Sequence, residues 1–282
     1  MSTTSWADVW LSLHQNGLSI CAGMAIAAIC AYIGVYVVLK RIVFVGASLA
    51  QISSAGIALA FLIGQSIPFF GKHPMGTSLV ITLLGTLLYS QQSLSRKIPQ
   101  ESIIGIGYLV ASALTVMFIV KSPKGLDEVN ELLAGNIITI TKSDFWMMVV
   151  VFAGVALVHG LFYKQFLFTS FDPDMASTQG YKTRAWELLF YMVLGLTISM
   201  SIQFAGLLSV FAYLVIPAVT GLVVAKRMPT AFVVAVVSAL VSTILGFIWS
   251  LKSDLPTSPP IIAVSALLLG VVWFSRRFVK EA

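Results

Sequence analysis

Few residues in this chain are of types that do chemistry, and their spacing narrows what they can do. Cys21 and Cys30 lie nine residues apart in one apolar run. On a helix that is about 13 Å, too far to bridge, and the pair gives neither a disulfide framework nor a zinc spacing. The sequence has no G-x-x-x-x-G-K-[ST] phosphate loop, no G-x-G-x-x-G and no H-E-x-x-H, so no known ATP site or zinc-hydrolase site is spelled out. Carriers coupled to protons or ions keep Asp, Glu or His inside the bilayer. Here Asp144 and Glu187 fall at the ends of apolar runs, and only His159 lies within one, as expected of an interfacial histidine. Energy for any transport must therefore come from elsewhere.

One polar segment is shaped to dock. In FDPDMASTQGY, Asp172 is a good N-cap and Pro173 suits the first helical position. Asp174 meets the positive end of the helix dipole. Met175, Ala176, Ser177 and Thr178 continue the turn, and Gly180 supplies a left-handed stop. A helix this short is not stable alone and must pack on something. Gln203 and Pro217 are the other polar or helix-distorting residues of note: a gate or a helix cap for the first, a kink for the second. Packing is the simpler role for Tyr213 and Thr220. His73 and the acidic set Asp127, Glu128 and Glu131 read as solvated loop residues. LLAGNIITI, with Asn136 as its turn, reads as a re-entrant or interfacial stretch.

The elements that must hold these residues follow from composition. The 282 residues are 58% hydrophobic and 10% charged, with mean hydropathy +0.96. Soluble domains carry roughly 25% charged residues. The class expected is an all-α polytopic membrane helix bundle, one transmembrane domain over 1–282. Nine spans are read, within a range of eight to ten: Leu18–Leu39, Ile42–Ile63, Thr77–Leu94, Ser102–Val120, Asp144–Tyr163, Glu187–Ile202, Phe204–Ala225, Thr230–Leu251 and Pro260–Phe274. The sixth and seventh form one stretch broken near Gln203 and Gly206. Residues 1–17, with Trp6, Val9, Trp10 and Leu13 at helical spacing, suit an interfacial helix or a frayed end of the first span, not a signal peptide. With nine spans, one side collects twelve of the seventeen Lys and Arg residues and a net +7, the other −1. The positive-inside rule then places the N-terminus outside and the C-terminus inside. Loop 164–186 becomes cytoplasmic, and the basic pI needs no nucleic acid.

These segments resemble the permease subunits of zinc- and manganese-type ATP-binding-cassette importers. FDPDMASTQGY resembles that family's coupling helix. The opening LHQNGLSICAGMAIAAICAYIGVYVVLKR, the F-x-G-x-x-L-x-x-x-x-x-x-G-x-A frame of FVGASLAQISSAGIALA, the stretch TISMSIQFAGLLSVFAYLVIPAVTGLV and DLPTSPPIIAV are similar to its successive segments, over some 250 residues. The resemblance implies a homodimer in the bacterial cytoplasmic (inner) membrane, over two separate ATPase subunits that hold the ATP and magnesium. It implies an extracytoplasmic metal-binding protein that delivers the cargo. No cofactor is implied in this chain. Asp172, Pro173, Asp174, Met175, Ala176 and Gly180 would engage the ATPase, and Ser48, Gln51, Ser54, Gln203 and Pro217 would lie along the pathway.

The chain departs from that pattern where metal chemistry is concerned. The family carries Asp after the glycine of the second span and His four residues on, a pair sharing one helix face. Here the positions hold Ala47 and Gln51, with Ser48, Ser53 and Ser54 nearby. Carboxylate plus imidazole is a good partial set for zinc or manganese; Gln51 offers one carbonyl oxygen. Three readings follow: a divalent metal held weakly in transit, a site moved to other residues, or a changed cargo such as a metal chelate or another small solute. A different class remains: Gly46-Ala47-Ser48 resembles the serine motif of intramembrane proteases, with His159 as base. That chemistry needs the two side chains within hydrogen-bond reach and leaves the coupling-helix resemblance unexplained.

Overall fold

The computed structural model describes residues 16–91, 98–122, 140–253 and 255–280, with side chains to residue 276. Residues 1–15, and with them most of the expected interfacial helix, lie outside the described residues, as do Asp127, Glu128, Glu131 and Asn136. The described residues are all helical, without a strand. The helices are α1 (Gly17–Leu39), α2 (Phe44–Gly64), α3 (Pro68–Lys72), α4 (Pro74–Ser90), α5 (Gln100–Lys121), α6 (Lys142–Leu161), α7 (Tyr163–Phe171), α8 (Pro173–Thr178), α9 (Thr183–Val224), α10 (Met228–Ser253) and α11 (Ser258–Lys280).

Seven of them are long and apolar enough to cross a bilayer: α1, α2, α5, α6, α9, α10 and α11. With 17 residues, α4 is shorter. The 42 residues of α9 would make a rod of roughly 63 Å, about twice the hydrocarbon thickness of ~30 Å. Gly206, at φ 75° and ψ 163°, divides it into two helical pieces. That backbone region belongs essentially to glycine.

The helices are built inside out relative to those of a soluble protein. In α4 the buried residues are Ser78, Thr82, Gly85, Thr86 and Tyr89, while Val80, Leu84 and Leu88 point outward. Lipid tails replace water as the outer solvent, so the apolar face turns out and the small polar stripe packs inward. The hydroxyls of Thr82 and Thr86 donate back to the Ser78 and Leu83 carbonyls, which costs no unsatisfied group. Helix α6 begins on a capping box: the Thr141 hydroxyl donates to Asp144 at 2.6 Å, and the Asp144 N–H donates back to Thr141.

The chain divides into two compact units. One comprises Met1–Val38, Ala134–Phe152 and Phe204–Ala282; the other comprises Leu39–Leu133 and Ala153–Gln203. In the first, Ala231, Ala235, Ala239, Ser242, Thr243 and Gly246 give α10 a small-residue face. A Cβ at Gly246 would stand 2.5 Å from the Ile261 Cα, so α11 packs backbone to backbone there. The buried Tyr213 accepts from Thr243 at 2.8 Å, and Arg276 donates to the Val224 carbonyl near the end of α9. In the second unit, α2 packs on α4 and α5. A Cβ at Gly56 would sit 2.7 Å from the Ser78 Cα, which fixes how closely α2 and α4 approach.

Candidate functional site

The polar residues of α2 fall on different sides of the helix and meet different fates. Ser48 is fully buried and its hydroxyl lies 2.5 Å from that of Tyr89 on α4. Ser53 shares a hydrogen bond of 2.7 Å with Ser78, which also donates to the Ser53 carbonyl at 2.9 Å. Ser53 further donates, at 3.5 Å, to Ser199 in the first half of α9. These contacts tie α2, α4 and α9 together. Ser54 donates to the Ala50 carbonyl. Gln51 is 8% exposed, and among the described residues its amide has no hydrogen bond. Ala47 is buried one turn earlier on the same face. Sequence reasoning named Ser48, Ser53 and Ser54 but missed Tyr89, Ser78 and Ser199. The signal was present on α4: Ser78, Thr82 and Thr86 recur every fourth residue in an otherwise apolar run.

Ser48 and His159 lie on different helices, α2 and α6. The His159 ring makes a 3.1 Å hydrogen bond to the Val155 carbonyl and stacks on Phe166 at 4.7 Å. The Ser48 hydroxyl is engaged by Tyr89 instead. The nucleophile–base pair of the protease reading is not assembled.

Between α6 and α9, the sequence D-P-D makes the local structure it spells. The Asp172 carboxylate accepts the Met175 N–H at 2.8 Å, and Pro173 opens α8. Gly180 adopts φ 86°, and the Tyr181 N–H returns to the Ala176 carbonyl at 3.1 Å, closing the helix. Ala176 is buried, while Phe171, Met175 and Tyr181 are exposed. Aromatic pairs join the segments on either side of the helix: Phe168 meets Tyr181 at 5.5 Å, and Phe166, fully buried, meets Trp186 at 5.8 Å. An open groove of about 530 Å³ runs beside it, lined by Gln179, Gly180, Tyr181, Lys182, Ala185 and Trp186.

Lys40, in the turn between α1 and α2, lies 5.3 Å above the Phe190 ring near the start of α9. Burial holds its ammonium below the ordinary lysine range, with the Glu187 carboxylate opposing that shift. The next residue, Arg41, has φ 58°, uncommon outside glycine. Toward the other end of the same unit, the Gln203 side-chain oxygen is buried without a hydrogen-bond partner among the described residues. It sits three residues before the Gly206 break. Pro217 is buried in a stretch of α9 that keeps helical dihedrals; the residue that leaves them is Gly206.

Among the described residues, no three His, Cys, Asp or Glu side chains gather where a metal could be held. The polar groups of α2 are hydroxyls and one amide.

Apolar spans, polar groups turned inward and a capped helix outside the spans define a polytopic integral membrane protein. Comparison with known proteins makes the class specific. The model of the ABC 3 transport family matches residues 15–275, and the chain belongs to that family. It is 27% identical over 271 residues to the manganese transport system membrane protein MntC of Halalkalibacterium halodurans, covering 96% of this chain and 90% of that one. It is 26% identical over 270 residues to the manganese import system permease protein ScaB of Streptococcus gordonii, covering 95% and 94%. Its fold resembles a chain of PsaBC from Streptococcus pneumoniae, solved in complex with Fab, with TM-score 0.84 at 20% identity and coverage of 98% and 99%.

Proposed function

We propose that the chain is the transmembrane permease subunit of an ATP-driven importer of divalent metal ions, zinc or manganese, in the bacterial cytoplasmic (inner) membrane. Membership of the ABC 3 transport family and the manganese-transport names of its relatives support this. The observation that carries the mechanism is the Asp172-capped helix, seated outside the spans with Phe171, Met175 and Tyr181 exposed. In this reading a separate ATPase, which holds ATP and magnesium, grips α8 through Asp172, Pro173, Asp174, Met175, Ala176 and Gly180. Closure of the ATPase pair moves α8, and the spans follow as rigid bodies. The permease works as a homodimer fed by an extracytoplasmic metal-binding protein, and it makes and breaks no bonds itself.

Nine spans result when α4 is counted and α9 is divided at Gly206. An odd number puts the termini on opposite sides, N-terminus out and C-terminus in by the basic-residue bias. The whole chain acts as one permease domain, with 1–17 at the interface and 164–186 as its coupling loop. Ser48, Gln51, Ser54, Gln203 and Pro217 line the pathway, with Gln51 touching the cargo.

Scanning metals for stimulation of ATP hydrolysis, in a complex reconstituted with the ATPase and the delivery protein, tests the reading. Manganese or zinc stimulates if it holds. Indifference to every free metal, with stimulation by a metal chelate, would move the assignment to a changed cargo, for which the neutral pair Ala47 and Gln51 is the argument.

A further inference from the structure

We infer that Lys40 is the positioning residue that carries the stroke of α8 into α2: its ammonium, over the Phe190 ring and opposite the charge of Glu187, joins the first turns of α9 to the α1–α2 turn, so that α2 moves when the ATPase moves α8. The inference rests on the import reading above and assigns the contact through which its coupling reaches α2.

A lysine at the end of a span ordinarily runs its ammonium out to headgroups and water. The neighbouring Arg41 is exposed in that manner. Lys40 is half-buried and turns back: its Nζ lies 5.3 Å from the centroid of Phe190, a fully buried ring, within reach of a cation–π attraction. The Glu187 carboxylate supplies the opposing charge. Glu187 and Phe190, three residues apart, share one face of α9. Taking an ammonium out of water costs free energy. Topology asks only for a basic residue in the turn, a need that Arg41 already meets, so the buried ammonium has another use.

Both ends of this contact are stiff. Between α8 and α9 the Gly180 N–H donates to the Ser177 carbonyl at 3.1 Å, and the Tyr181 N–H to the Ala176 carbonyl at 3.1 Å. The Thr183 N–H then donates to the Tyr181 carbonyl at 2.9 Å, and the Trp186 N–H to the Lys182 carbonyl at 3.2 Å. This ladder leaves little slack between α8 and the first turn of α9. Trp186, in that turn, packs on Phe166 at 5.8 Å, and Phe166 lies 6.3 Å from Phe190, so the ring under Lys40 is held by the segments flanking α8. On the other side, Ile42 is buried and its carbonyl accepts the Val45 N–H at 2.9 Å. Lys40 stands four residues before Phe44, the first residue of α2. A shift at the start of α9 therefore reaches the head of α2 through one side-chain contact.

The test uses the full permease with its ATPase and Phe44→Cys as reporter, since Phe44 is 54% exposed. Cys21→Ser removes the exposed native thiol, and Cys30 is buried. The rate at which a fluorescent maleimide labels position 44 is read in detergent with and without ATP and vanadate, which trap the ATPase closed; neither metal nor delivery protein is needed. Trapping should change the labelling rate in the otherwise native chain. Lys40→Met and Phe190→Leu should each cut that change about fivefold, with co-purification of the ATPase and basal ATP hydrolysis kept. Lys40→Gln serves if Lys40→Met does not assemble. Lys40→Arg, whose guanidinium also sits over a ring, should restore the response. K40M/F190L should lose no more than the worse single variant, because both remove one contact. A full response in an assembled Lys40→Met, an equal loss in Lys40→Arg, or losses that add in the double variant would each overturn the inference, as would a native chain whose reporter ignores trapping. A complex that responds to trapping through Lys40 but to no metal would leave the inference standing and strike the cargo assigned above. A native chain that assembles with no ATPase would end the import reading, and this inference with it.

Discussion

Removing the cap of α8 is the perturbation that reads the coupling mechanism most finely. The Asp172 carboxylate accepts one N–H, that of Met175, and Asp172→Ala leaves that donor without its partner. Loss of an N-cap side chain costs about 1 kcal/mol. A six-residue helix has no cooperative reserve of its own, and its remaining anchors are the burial of Ala176 and the Phe168–Tyr181 contact. A loss of 1 kcal/mol lowers the ratio of seated to unseated helix about fivefold. Trypsin reports this directly, because Lys182 and Arg184 lie just beyond the helix and are exposed. With the seated form predominant, nicking there should accelerate up to about fivefold in Asp172→Ala, with a smaller fall in metal-stimulated ATP hydrolysis. Asn caps as well as Asp, so Asp172→Asn should stay near wild type in both assays. Wild-type behaviour of Asp172→Ala would refute the reasoning. Equal damage from Asp172→Asn would show that the charge, not the cap, is what matters.

Three further outcomes test the packing. Gly56→Ala drives a methyl toward the Ser78 backbone, at 2.7 Å before relaxation, and should destabilise by about 1–3 kcal/mol, seen as a lowered melting temperature in detergent. Gly206→Ala forces an L-residue into φ 75° and ψ 163°; a cost of roughly 1–3 kcal/mol should lower thermal stability, whereas Gly221→Ser is no substitute control because that glycine is itself close-packed. Ser53→Ala breaks the 2.7 Å contact to Ser78 and should cost only ~0.6 kcal/mol, the average for hydrogen bonds between membrane helices, with uptake unchanged; a large loss of uptake at normal expression would place Ser53 in the pathway instead.

The long spans were legible because a bilayer demands a stretch of apolar residues of fixed minimum length. Each expected span overlaps a helix, from α1 at Gly17–Leu39 to α11 at Ser258–Lys280. The ends of α8 were legible too, since an Asp-Pro start and a glycine with positive φ act within one turn and need no tertiary partner. Other features were not. Helix α3 is five residues long, below any periodicity a sequence can display. The break of α9 was legible near Gln203 and Gly206, because an apolar stretch twice the bilayer thickness has to be divided, whereas the kink expected at Pro217 is absent from the helical dihedrals there. The pairing of Ser53 with Ser78, 25 residues away, depends on which helices meet. A serine in an apolar run declares that it needs a partner but not which one. At Gln51 the sequence showed the change of ligand type, and the structure showed that the residue is buried.

Accumulation of manganese inside vesicles carrying the permease, its ATPase and its delivery protein is the most direct test of the central claim. ATP should drive manganese inward against its gradient, and omission of the ATPase should stop it. Uphill accumulation by the permease alone, or ATP turnover that never moves a metal, would contradict the account.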